Sequence, residues 1–331
     1  MREIVHTVRR WRDDEVTGAV VRPIEESGIG TRRADAALAI SAKGERAGGL
    51  YGGAADEAIS ATAREVIAEG TPRLLDIELS NSEAVRAGLA CGGRARLLLQ
   101  PIVDLPAAWW EAIERPQGAA LVTPLAPDLG PSTAITPDGA AHPGAKDADI
   151  PADALNLARR RLAKNRGSRE IVEIAGANYL LETGGAAPYL VVVGGGDLAA
   201  ALTRQAALLN WEAESVETAS EATERYAANT CLIVLSHDPA IDTPALSAAL
   251  AAGIPYVGAL GARHTQASRA ERLRADGVSD EAIATIRGPV GLDLGARNPE
   301  ETALAVCAEI LGVLSGRQAV PLRDTTGAIN A

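Results

Sequence analysis

The chain has 331 residues, a formal net charge of −11, 47% hydrophobic residues, no phenylalanine and one methionine. That length suits two domains at roughly 100–200 residues each, and the negative charge argues against non-specific binding to nucleic acid or anionic membranes, which need a basic surface. The cysteines Cys91, Cys231 and Cys307 are too few and too scattered for a disulfide framework or a zinc set; with no signal-like opening and no apolar run of about 18 residues, the expected home is the cytoplasm.

In chain order, short β-rich stretches at 16–24, 35–40 and 46–52 predict strands. A helix is expected over 54–69, where Ile59, Ala63, Val66 and Ile67 share one face and Gly70 stops the run. Strands at 73–79 and 94–102 flank a turn-rich stretch carrying Gly88-Leu89-Ala90-Cys91-Gly92-Gly93. After a short helix at 106–115 the pattern restarts, with strands at 118–126 and 132–136, a helix at 151–164, and strands at 169–176 and 178–183. The repeated β-β-α-β-β order points to duplication inside an α+β domain over 1–186. Its segment 127–150, rich in Pro, Gly, Ala and Asp, is expected to be an exposed loop.

From Pro188 the pattern changes. The continuous apolar run at 189–193 suits a central parallel strand. Helices at 197–210, 219–228 and 244–252 then alternate with strands at 213–217, 231–236 and 254–260. Such alternation means βαβ units and a doubly wound parallel sheet, so the fold class is α/β, with a Rossmann-type domain over 187–318. Helices at 264–276, 279–286 and 298–315 follow, and 319–331 forms a frayed tail.

Val193-Gly194-Gly195-Gly196-Asp197-Leu198-Ala199 fits G-x-G-x-x-A in the required place, after a strand and opening a helix. Glycines let backbone approach a diphosphate, and the helix N-terminus offers free N–H groups. Glu217, at the end of the next strand, stands where a ribose-binding carboxylate belongs. The alternative is a tight turn with no ligand, and Asp197 at the helix start would repel a phosphate there.

Ser236-His237-Asp238 follows the third strand, at the edge where open α/β sheets bind ligands. His237 suits an anion contact or acid–base work; Asp242 or Thr243 would instead cap a helix starting at Pro244. Arg263, after Gly258-Ala259-Leu260-Gly261-Ala262, is a candidate phosphate clamp, or a solvated charge at a helix start. Asp293 sits in the glycine-rich stretch 288–297, which either returns to the ligand edge or braces the domain. Cys91, among small residues, is either a reachable thiolate that Gly92 and its neighbours expose, or a buried inert thiol.

Together these motifs resemble the XdhC/CoxI family, accessory proteins of molybdenum hydroxylases such as xanthine dehydrogenase and carbon monoxide dehydrogenase. The glycine turn, Ser236-His237-Asp238, the stretch 255–263 and the stretch 288–297 are similar to the family's Rossmann half, and 89–93 to its N-terminal cysteine motif. The resemblance implies a maturation chaperone, not itself an enzyme. It would bind the pyranopterin molybdenum cofactor, with or without a nucleotide, assist its sulfuration and deliver it to the apo-enzyme. Implied partners are that hydroxylase and a sulfurtransferase, not nucleic acid or membrane; separately, exposed sheet edges in the first domain allow two copies to pair. Cys91 would be the molybdenum contact, and Gly92, Gly194, Gly195, Gly196, Glu217, His237, Asp238, Arg263 and Asp293 the remaining cofactor contacts. One departure stands out: the family's Ser-Gly-Gly-Cys motif reads Tyr51-Gly52-Gly53-Ala54 here, so a second cysteine is missing. Two other readings remain open, an NAD(P)-dependent oxidoreductase and a scaffold that has lost the site.

Overall fold

The computed structural model describes residues 1–29, 35–126, 128–144, 149–163 and 167–326. The chain divides into two compact units, Met1–Ala186 and Ala187–Ala331.

The first unit runs α1 (Arg2–Asp13), β1 (Gly18–Ser27), β2 (Leu38–Ser41), β3 (Arg46–Gly48), α2 (Asp56–Glu69), β4 (Arg73–Leu79), α3 (Asn81–Arg86) and β5 (Gly93–Pro101). It continues with α4 (Ala107–Ala112), β6 (Ala119–Ala126), β7 (Thr133–Ile135), β8 (Ala141–Pro143), α5 (Ala152–Leu162), β9 (Ser168–Ile174) and β10 (Ala177–Gly184). Two antiparallel sheets result, ordered β3-β2-β1-β5-β4 and β8-β7-β6-β10-β9. The second order is the first repeated. Arg22 lies opposite Leu98 as Thr123 lies opposite Leu180, and Val20 faces Gln100 as Leu121 faces Glu182. Each copy breaks register just after a proline, Pro23 or Pro124, because proline has no N–H to give the ladder and the next residue bulges out.

Apolar residues on the two faces of each sheet set the layering. Val20 and Ala39 of one sheet share a core with Leu121 and Ala134 of the other. Ile4, Val5, Val8 and Trp11 of α1 and Trp109 and Trp110 of α4 join the same core. The opposite faces are covered by α2 through Ile59, Ala63 and Val66, and by α5 through Ala154, Ala158 and Leu162. The segment 127–150 is not simply an exposed loop: it contains β7 and β8, and Thr133–Ile135 is buried. Its Pro and Gly residues mark the turns between strands too short to show a period. Part of it, 127 and 145–148, lies outside the described residues.

A charged pair is buried in this unit. Arg22, fully buried, donates to the Glu182 carboxylate and to the Gln100 side-chain carbonyl, and Arg169 Nε donates to Glu182 at 2.7 Å. Burial alone would raise the Glu182 carboxyl; the charges of Arg22 and Arg169 outweigh it and hold the group below the usual carboxylate range.

The second unit runs β11 (Tyr189–Val193), α6 (Asp197–Leu208), β12 (Glu212–Val216), α7 (Ala219–Thr223), β13 (Thr230–Val234), α8 (Pro239–Ala252), β14 (Tyr256–Ala259), α9 (Arg263–Ala275), α10 (Asp280–Ile283) and α11 (Pro299–Ser315). All four strands are parallel, in the order β12-β11-β13-β14. Leu190, Val192 and Ile233 pack with Leu202, Ala206, Val306 and Ile310, from α6 and α11. On the opposite face Val191, Val193, Leu232 and Val234 meet Leu246, Ala249 and Leu273, from α8 and α9. Strands covered on both faces have to be apolar throughout, and this is why the run at 189–193 reads as it does. Among the described residues no helix is long and apolar enough to cross a membrane.

The helix expected from Pro244 begins earlier, at Pro239. Asp238 is its cap, accepting from the Ala240 N–H at 2.9 Å, and Pro244 sits inside the helix. Asp242 and Thr243 are therefore helical and buried rather than capping residues.

Glu182→Gln would leave Arg22 buried without its counter-charge and should cost about 3–5 kcal/mol, whereas replacing both partners by well-packed apolar residues should cost far less. Because the folded carboxyl sits low, its contribution is present above about pH 4.3 and fades as the pH falls through the folded value. Urea unfolding of both variants, with the wild type followed from pH 6 to about 3, checks the claim; a nearly neutral Glu182→Gln would contradict it.

Candidate functional site

The order β12-β11-β13-β14 reverses direction between β11 and β13. At such a point the two following connections leave the sheet to opposite sides, opening a crevice at its carboxyl edge. The glycine turn lies there. Gly194, at φ 114°, packs closely: a Cβ on it would come 3.3 Å from Leu235 Cβ and from the Ser236 amide nitrogen. Gly195 and Gly196 differ, since a Cβ on either meets nothing within 4 Å. Open space therefore lies over the middle of the turn. Gly196 is the N-cap of α6, and no side chain caps that helix, so its first N–H groups remain available. Asp197, in the first turn, is exposed.

The other edge residues arrive on the neighbouring connections. The Gly194 N–H donates to the Val216 carbonyl at 2.9 Å, which brings the end of β12 alongside the turn and puts the exposed Glu217 one residue beyond. His237 follows β13 and is exposed; Asp238 beside it is engaged as the α8 cap. Arg263 is the first residue of α9, exposed and with no side-chain partner among the described residues. The stretch 288–297 does return to this edge. Val290 donates to the Ala259 carbonyl at 3.1 Å, Gly291 donates to the Glu309 carboxylate at 2.9 Å, and Asp293 follows, exposed. Gly194, Gly195, Gly196, Glu217, His237, Asp238, Arg263 and Asp293 thus gather at one edge of one sheet. Free amides, a glycine-lined opening and an unpaired arginine can hold a phosphate.

Cys91 and Gly92 belong to the first unit. Cys91 is half-buried, and its thiol donates to the Gly28 carbonyl at 2.7 Å. The glycines beside it serve close backbone approach: a Cβ on Gly92 would lie 2.2 Å from the Leu79 carbonyl, and one on Gly93 2.2 Å from that of Ser27. The Gly92 amide is held by Asn81 Oδ1 at 2.9 Å. A shallow groove of about 470 Å³, lined by Gly28, Asn81, Gly92 and Arg94 among others, opens beside the cysteine. Gly52, at φ 58°, leaves only 2.1 Å between its notional Cβ and the Ala87 carbonyl, so the Tyr51–Ala54 loop lies against the start of the cysteine loop. Ala54, the last residue of that loop, is exposed. Cys231 and Cys307 are core residues of the second unit, where burial pushes their thiols up to about 12 and about 11.

The repeated topology isolates what is special about the Cys91 loop. In the second copy β9 and β10 are joined by two residues, Ala175 and Gly176, both at positive φ, as in a tight hairpin. In the first copy the same connection, between β4 and β5, takes the whole of Ser80 to Gly92 and includes α3 with its Ser80–Glu83 capping box. The fold does not require that extra chain.

A family model described as the XdhC Rossmann domain matches residues 190–310, and one described as the XdhC and CoxI family matches residues 11–78. The chain belongs to the XdhC/CoxI family. Among curated proteins of Escherichia coli K12, YqeB is 30% identical over 178 residues, covering 46% of this chain and 32% of YqeB. The molybdenum cofactor insertion chaperone PaoD is 40% identical over 85 residues, 26% of this chain and 27% of PaoD. The matched stretches thus span about a third or less of these relatives' lengths. A crystal structure from Bacillus halodurans, described as a xanthine dehydrogenase, shares the fold with a TM-score of 0.61 at 15% identity, over 95% of this chain and 96% of that one.

Sequence reasoning missed Arg269, in the second turn of α9. It is 2% exposed and its Nε lies 2.7 Å from Asp242 Oδ2. A charged residue in a polar helix gave no sign of burial, because its carboxylate partner lies on another helix.

The glycines predict separable effects. Gly195→Val fills open space and should change stability by less than about 0.5 kcal/mol, while obstructing any ligand laid over the turn. Gly194→Val should cost about 1–3 kcal/mol through backbone strain alone. Thermal unfolding of both variants checks this, and a strongly destabilised Gly195→Val would show that the space is not open.

Proposed function

We propose that this XdhC/CoxI protein is a maturation factor that carries the molybdenum cofactor as cargo to a molybdenum hydroxylase apo-enzyme. The observation that carries the reading is the carboxyl edge of the second unit: an open glycine turn at an uncapped helix, with Arg263 exposed and without a side-chain partner among the described residues on the same edge, past β14. This donor set suits the phosphate of a pyranopterin or the diphosphate of its dinucleotide form. PaoD, similar over part of the chain, is described as an insertion chaperone for this cofactor.

In this reading Gly194, Gly195 and Gly196 cradle the phosphate and Arg263 neutralises it, with His237 and Asp293 lining the same edge. Cys91, in the first unit, is the soft sulfur donor that the reading assigns to the metal, which thiolates suit, and Gly92 keeps the Cys91 loop tight against β4. Ala54 withholds a second sulfur, so the metal-side contact is single and readily exchanged. That suits a carrier, which must release what it binds. A sulfurtransferase would act on the cargo while it is held, and pairing of two copies through sheet edges would be a further level of assembly.

Glu217 favours a second reading. A carboxylate one residue past β12 suits a ribose diol, as in an NAD(P)-dependent oxidoreductase, and equally suits a nucleotide-bearing form of the proposed cargo. If the edge holds neither ligand, the protein is a scaffold that has lost the site.

Protein purified from cells with active molybdopterin synthesis should release a pterin that fluoresces after oxidation, and Cys91→Ala should carry less. Protein that stays empty when cofactor is abundant would sink the proposal. NADH fluorescence titrated to millimolar levels tests the oxidoreductase reading, which a flat response removes.

A further inference from the structure

Arg269 contributes no charge to the ligand edge, yet it touches two of the connections that form it. Its guanidinium is 2% exposed, and Nε pairs with Asp242 Oδ2 at 2.7 Å. Asp242 is itself buried, so the two charges cancel inside the protein. The remaining donors go to backbone and to one amide. Nη2 donates to the Ser236 carbonyl at 2.8 Å, and Nη1 donates to the Leu260 carbonyl and to Gln266 Oε1. Gln266 extends the pattern, its amide donating to the Ala259 carbonyl at 3.1 Å and to that of Gly261 at 2.9 Å.

The consequence lies on the other side of each peptide. In a trans peptide the N–H points opposite to the C=O. The Ser236, Leu260 and Gly261 carbonyls are drawn inward to Arg269 and Gln266, so the N–H groups of His237, Gly261 and Ala262 are turned away from them. None of these three amides has a partner among the described residues. They precede α8 and α9 at the carboxyl edge, next to His237 and Arg263. Successive outward N–H groups such as those of Gly261 and Ala262 suit an anion.

We infer that Arg269, with Gln266, is the positioning residue of the phosphate-binding edge. It fixes the β13–α8 and β14–α9 connections by their carbonyls, so that their amides are presented outward before cargo arrives. This rests on the cofactor-carrier reading above. Lysine cannot replace it, because a single ammonium lacks the planar fork that reaches separate carbonyls and the carboxylate at once.

The test is pterin retained per folded molecule, with folding read by circular dichroism, in full-length protein from cells making the cofactor. Arg269→Lys should retain about tenfold less, the scale seen for groups that orient a ligand without touching it. Gln266→Ala should show a smaller loss. Asp242→Asn should lower thermal stability while its folded fraction keeps close to the wild-type load, since Arg269 retains its carbonyl partners. A merely structural ion pair predicts otherwise: both ion-pair variants lose stability and both stay loaded when folded. A loaded wild type with an equally loaded Arg269→Lys overturns the inference alone. An empty wild type overturns the carrier reading, and the inference with it. If Arg269→Lys does not fold, Gln266→Ala decides, and an unchanged load there overturns the inference.

Discussion

Where four parallel strands end together, the chain must leave the ladder, and the backbone groups it uncovers need partners. This constraint organises the second unit. Each exit solves it differently. After β11 the solution is glycine, with Gly194 close enough to Leu235 and Ser236 to exclude a side chain. After β13 it is Asp238, which caps α8 and gives that helix a start five residues before Pro244. After β14 it is the Arg269–Gln266 pair, which takes up carbonyls from two connections. The carbonyls are satisfied inside the protein and amides are left facing out. An edge built this way favours anions without a large positive charge, so the acidity of the chain does not conflict with the phosphate-bearing cargo proposed for it.

The first unit meets a different constraint. Two sheets of the same topology share one core, and the strands β1 and β10 bring polar residues into it. Arg22 is the first copy's counterpart of Thr123, and Glu182 the second copy's counterpart of Gln100. A residue changed in one copy is thus answered by a residue changed in the other, and Arg169 and Gln100 add hydrogen bonds to the buried pair, while Arg22 Nε is left without a partner among the described residues. The copies have also diverged where β4 joins β5, and there the longer connection carries Cys91. Chain that folding does not demand is where a site can be added without disturbing the sheets.

The second unit was largely legible in the sequence because buried parallel strands must be apolar at every position. The run at 189–193 has the limits of β11, and the glycine turn follows it. The first unit was legible only in outline. Its repeat has the pattern Ala19-Val20-Val21-Arg22-Pro23-Ile24 beside Ala120-Leu121-Val122-Thr123-Pro124-Leu125, which is too short to stand out until the register aligns it. The helix α1 passed unread, although Ile4, Val5, Val8 and Trp11 stand at helical spacing and form its buried face. Prolines misled twice. Pro244 looked like a helix start and lies inside one, and the prolines of 127–150 suggested a loop where β7 and β8 are too short for alternation to show. Arg269 could not have been found from its own helix, since what buries it is Asp242, 27 residues earlier.

Placement of the candidate site residues bears on how such a protein could work. The phosphate-type residues share one sheet edge, and Cys91 stands on an extra loop of the other unit. A permanent cofactor site would gain from donors locked into a single core, where every contact adds to retention. A carrier faces the opposite demand, because each contact it makes must later be broken by the recipient. On the proposed reading this chain meets that demand with backbone amides, one exposed arginine and one sulfur, each replaceable by a recipient's own donors. Ala54 belongs to the same logic. If Cys91 holds the metal as proposed, a second thiolate in the Ala54 position would tighten that hold, and a single sulfur favours transfer over storage.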